Sequence, residues 1–312
     1  MNAVTAPSRR HLRFAIVAVL LACAPCIAAA DDAKATPPTP SITRRYRDGE
    51  TITYEMTASN QDRVKLLRYC AVATAVARKG KDAFVEDVAW SRLVVNDKEI
   101  ALPADGAGTH QLVSLAPDYQ WTAPDVAKTP PSLIGPVLDL MTVYVDLWLA
   151  TKQGKLAHVG DHFVMPRSSA NSWADGTWVT LGEDAIDFDV TLAAVDEKAR
   201  TATVIVRHVP PAKPEIRLPA EWMKAPVADT ANNWVQVQRR GANGERFLAA
   251  VGKETFDVEL RVSLDDGRIL SAHLDNLVDV LERDCRNAAL DDPGEPMRYR
   301  IHRVIDVVAR AP

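Results

Sequence analysis

What most constrains this chain is a two-residue alternation of apolar and polar side chains, repeated in segments that are joined by tight turns. Phe256, Val258, Leu260, Val262 and Leu264 alternate with Thr255, Asp257, Glu259, Arg261 and Ser263. Successive side chains of a strand leave on opposite faces, so this segment reads as a strand with one buried and one solvated face. Asp265-Asp266-Gly267-Arg268 is a turn sequence and Ile269 to Leu274 returns, which makes a hairpin. Thr51 to Ala58 alternates in the same way, with Ile52, Tyr54, Met56 and Ala58 on one face. Val64 to Arg78 and Ala83 to Val95 form a long hairpin about Lys79-Gly80-Lys81-Asp82, and Asn96-Asp97 marks a second tight turn. Ala185 to Ala194 and Thr201 to Val209 pair about Asp196 to Arg200. Asn232 to Arg240 and Met297 to Ala309 complete the set. About ten locally paired strands without alternating helix–strand units predict an antiparallel meander rather than a doubly wound parallel sheet.

One segment breaks this pattern. Ser132 to Lys152 carries Leu133, Val137, Leu138, Leu140, Met141, Tyr144, Leu147 and Trp148, with Ser132 as a cap and Gly154 as a stop. A helix this apolar is buried nearly all round or lies against lipid or a partner. Asp139, Thr142 and Asp146 form a narrow polar stripe along it, read as the solvated edge of a buried helix. The two aspartates inside the apolar stretch argue against a membrane span. The expected fold is mainly β (α+β): a curved antiparallel meander or incomplete β-barrel with one long apolar helix, about 132–152, packed against it. In outline the chain resembles the open β-barrels that carry or sense lipids in the bacterial periplasm. That resemblance implies a curved sheet around an apolar interior.

The first thirty residues read as a cleavable export signal. Arg9, Arg10 and Arg13 precede the apolar run Phe14 to Cys23, and Ala28-Ala29-Ala30 offers a small-residue cleavage site before Asp31. The run is shorter than the roughly 20 residues a bilayer span needs. The domain plan is therefore a signal peptide at 1–30, a Pro-rich disordered lead at 31–44 and a single β-rich exported domain at 45–312, periplasmic or secreted. Lipidation at Cys23, after Leu20-Leu21-Ala22, is the alternative processing route. Cleavage after Ala30 removes three of the 37 basic residues and none of the 41 acidic ones, leaving a formal charge of −7. That charge argues against nucleic acid or anionic membrane surfaces as partners. Cleavage would leave two cysteines, Cys70 and Cys285. An oxidising compartment predicts a disulfide between them.

Chemistry-bearing patterns are sparse. His158-Val159-Gly160-Asp161-His162 is the densest group of catalytic or metal-ligating types, so His158, Asp161 and His162 are the candidate catalytic residues. In an extended segment the two histidines stand about 13 Å apart, so no metal site is assigned. There is no G-x-S-x-G, S-x-x-K or H-E-x-x-H, and no P-loop or G-x-G-x-x-G, so no cofactor is expected. Leu138, Met141, Tyr144 and Trp148 on the apolar helix are the candidate ligand or partner surface. Tryptophans in the irregular connectors (Trp121, Trp173, Trp222) are further candidates for stacking. These observations favour a non-enzymatic exported envelope protein that binds an apolar small molecule or a hydrophobic partner segment. The alternatives are a periplasmic hydrolase using scattered Asp and His, and an assembly factor that binds another envelope protein.

Overall fold

The structure is a computed structural model and describes residues 42–121, 126–166, 178–181, 187–210, 218, 220–240 and 246–310. The export signal at 1–30, Cys23, the lead through 41 and Trp173 lie outside the described residues. Among the described residues, thirteen strands form one antiparallel sheet. In chain order they are β1 (Thr51–Gln61), β2 (Leu66–Lys79), β3 (Phe84–Val95), β4 (Lys98–Glu99) and β5 (His110–Val113), then helix α1 (Ile134–Lys152). After the helix come β6 (His162–Pro166), β7 (Trp178–Leu181), β8 (Asp187–Asp196), β9 (Thr201–Val209) and β10 (Trp234–Arg240). The last three are β11 (Arg246–Ser263), β12 (Ile269–Cys285) and β13 (Met297–Arg310). The main path runs β4-β3-β2-β1-β13-β12-β11-β9-β8-β6, so the sheet stays open, with β4 and β6 at its ends.

The alternation decides which face is buried. Tyr54 and Met56 of β1, Ala73 and Ala75 of β2, Leu274 of β12, Leu260 of β11 and Val204 of β9 all lie in one core with α1. Alanines at Ala71, Ala73 and Ala75 leave room there for the large side chains of the helix, including Leu140, Tyr144 and Leu147. α1 is long and apolar enough to cross a bilayer by length and composition, and about half of that stretch is buried here in the core. Its start differs from expectation. Pro131–Leu133 forms a 3₁₀ turn, Leu133 is the cap position, and no side chain caps the first turn, so Ser132 does not take that role. Pro136 is tolerated because a first-turn N–H has no partner within the helix. Gly154, at φ +62°, follows the last turn and donates its N–H to the Thr151 carbonyl.

The expected solvated stripe is corrected at Asp139, which is 4% exposed. The Tyr69 hydroxyl donates to its Oδ2 at 2.6 Å, and Arg303 of β13 pairs with its Oδ1. Further along α1, Tyr144 donates to Glu86 of β3 and lies 2.9 Å from the Tyr54 hydroxyl. Arg44 pairs with the same Glu86 from the chain entering β1. Burial pushes the Glu86 carboxyl up, with Arg44 opposing, and the desolvated Tyr54 and Tyr144 hydroxyls are pushed well above their ordinary value. Trp148 adds a bond from Nε1 to the Ala116 carbonyl at 2.8 Å. The helix is thus seated by apolar area and oriented by polar anchors, because an unpaired buried polar group would be costly.

The structure contains no Cys70–Cys285 disulfide. Cys70 is exposed on β2, Cys285 is buried at the end of β12, and both are free. Two strands, β1 and β13, lie between theirs, a lateral separation of about 14 Å. In register, Cys70 aligns through Thr57 and Asp306 with His273. Cys285 lies twelve residues beyond His273, about 40 Å along the strand. Bonded cysteines need Cα atoms about 4.4–6.8 Å apart.

Candidate functional site

β11 is longer than the sequence reading placed it, and the extra length creates the site. One edge pairs with β12 throughout. The other edge pairs with β10 as far as Gly252 and with β9 only from Asp257 onward. Lys253 to Phe256 therefore lies in a fork, with no strand partner on that edge among the described residues. A cavity of about 570 Å³ opens there.

Two successive asparagines shape the fork. The Asn233 carboxamide imitates a strand. Its Nδ2 donates to the Glu254 carbonyl at 3.0 Å, and its Oδ1 accepts the Glu254 N–H at 2.7 Å. Asn232, buried and facing the connector, donates to the carbonyls of Met223 and Ala225, both at 2.9 Å, and accepts the Val227 N–H. That connector also carries a second small core, in which Met223 packs with Val235, Val237, Phe247 and Leu281. One asparagine extends the ladder, and its neighbour holds the wall beside it.

The cavity combines apolar lining from Val209, Pro210, Leu218 and Phe256 with a small polar group from His208, Glu254 and Asn233. The His208 side chain is 5% exposed and the Glu254 side chain 9%. The imidazole stacks on Phe256 with ring centroids 4.7 Å apart and meets the edge of Phe188 at 4.6 Å. His208 Nδ1 lies 3.7 Å from Glu254 Oε2, and Asn276 donates to Glu254 Oε1 at 2.8 Å. An imidazole beside a carboxylate, held between aromatic rings, can hold a proton or orient a polar group of a ligand. Around the mouth, Arg207 bonds Asp257 at 2.7 Å and Lys224 pairs with Glu221.

The residues singled out from the sequence lie elsewhere. Asp161 accepts the backbone N–H groups of His158 and Ala157 at 2.7 and 2.9 Å, which hold its carboxyl below the usual range. His158 Nδ1 lies 3.5 Å from that carboxylate, so these two share a surface turn. His162 instead pairs with Asp189 of β8 at 3.0 Å. Among the described residues, no three His, Cys, Asp or Glu side chains cluster as metal ligands would. Of the helix candidates, Tyr144 and Trp148 are buried in the core, Leu138 is 37% exposed and Met141 is half-buried. The signal for the fork was parity. Glu254 falls on the inward phase of Phe256, Val258 and Leu260, and Asn276 on that of Ala272 and Leu274. A polar residue on an inward phase marks a special site. No protein-family profile matches the chain, and no curated protein matches it.

Proposed function

We propose that this chain is an exported, non-enzymatic envelope protein that binds a small, largely apolar molecule in the fork cavity. The carrying observation is the cavity itself. Its volume of about 570 Å³ falls in the roughly 300–1,000 Å³ range of small-molecule sites, and it has the usual mixture of apolar lining and a few convergent polar groups. The order of charge, apolar run and small residues within 1–30 supports export.

Native mass spectrometry of the chain purified from the cell envelope tests this reading. The expected result is a chain that begins near Asp31 and carries a mass lost on denaturation. Thr230 is an exposed lining residue, and Thr230→Trp should obstruct the cavity and abolish that mass without lowering the melting temperature. The neutral apolar dye N-phenyl-1-naphthylamine should show the same dependence on Thr230. A bare chain that also fails to bind the dye would overturn the reading.

A further inference from the structure

The charges around the cavity point to the head group of its ligand. Arg207 is bonded to Asp257, and Lys224 to Glu221. Glu254 lies beside His208 and accepts from Asn276. Lys253 is the exception. It lines the cavity half-buried on β11 and has no ion-pair partner among the described residues. The residue opposite it in register, Asp279 of β12, is bonded to Arg300 at 2.9 Å. A half-buried lysine beside apolar walls creates a positive potential that water screens less than at an open surface. Alternate side chains leave a strand on opposite faces, so Lys253 and Glu254 diverge, and an anion at Lys253 is kept away from the Glu254 carboxylate.

We infer that the fork cavity takes an amphiphile with an anionic head, the head bonded to Lys253 and the apolar tail lying along Val209 and Leu218. This rests on the ligand-binding reading above and adds the charge of the ligand to it. Titration calorimetry with three ten-carbon probes, decanoate, decan-1-ol and decyltrimethylammonium, separates the two claims. Decanoate should bind tightest. Lys253→Met keeps the aliphatic stem and should weaken decanoate about 10- to 100-fold, the worth of a hydrogen bond to a charged group, and leave decan-1-ol unchanged. Lys253→Arg should restore most of the decanoate affinity, which shows that any loss is of charge and not of fold. Equal affinity for decanoate and decan-1-ol, tighter binding of the cation, or indifference of decanoate to Lys253→Met would overturn the anionic head and leave the apolar cavity standing. Failure of all three probes to bind would overturn both.

Discussion

Replacing Asp139 with alanine tests how α1 is held on the sheet. The change removes the acceptor of the Tyr69 hydroxyl and the partner of Arg303 in one step. Breaking a buried ion pair from one side costs about 3–5 kcal/mol, because the remaining charge stays desolvated. The Arg303 side chain keeps 27% of its exposure, so water recovers part of that loss and the lower end applies, about 3 kcal/mol. With a urea dependence near 3 kcal/mol per molar, the unfolding midpoint should fall by about 1 M. Trp148, buried on the same helix, makes tryptophan emission a suitable readout. The double variant Asp139→Leu/Arg303→Met removes both charges and fills the space, and should recover more than half of the loss. Tyr69→Phe alone should cost about 1 kcal/mol. A midpoint shift below about 0.3 M for Asp139→Ala, equivalent to about 1 kcal/mol, would refute the idea that this pair anchors the helix. Additivity of the Asp139 and Arg303 single variants would refute it too.

Three further outcomes are expected. Burial raises the Glu86 carboxyl above 4.5, so the folded chain retains a proton that the unfolded chain releases. The contribution of this group to stability therefore declines as pH rises from 4.5 through the raised value, and subtracting the Glu86→Gln stability profile from the wild-type one should leave that downward slope. Under native conditions a thiol reagent should titrate Cys70 promptly and Cys285 slowly, since burial pushes the Cys285 thiol up to about 11, and denaturant should release both with no two-dalton mass deficit. Gly252 carries the backbone past the fork where an added Cβ would come within 2.5 Å of the Asp279 carbonyl oxygen and 3.2 Å of Trp234. Gly252→Ala should cost about 1–3 kcal/mol in a thermal melt, and an unchanged melting temperature would show that the fork accommodates a methyl group.

The strand alternation and the turn chemistry were enough to establish an antiparallel sheet with one embedded helix. β9, β13 and the hairpin of β2 and β3 lie within a residue or two of where the pattern put them, because period-two burial is a local property of a half-buried strand. Arg246 to Glu254 and Asn276 to Cys285 were not legible as strands. Val251 and Leu281 face the second core, and Ala250, Val278 and Val280 face the opposite side, so burial on both faces erases the alternation that marks a strand. The same blindness hid the fork, which exists only because β11 changes partner between Gly252 and Asp257. Polar residues on inward phases, Glu86 and Glu254, were visible in the sequence. Their partners were not: Tyr144 and His208 stand 58 and 46 positions away, and only folding brings them together. Local periodicity is written along the chain, whereas the meeting of distant polar groups, and the gap left where one strand has two neighbours, depend on which strands pair. That is decided by the packing of the whole sheet.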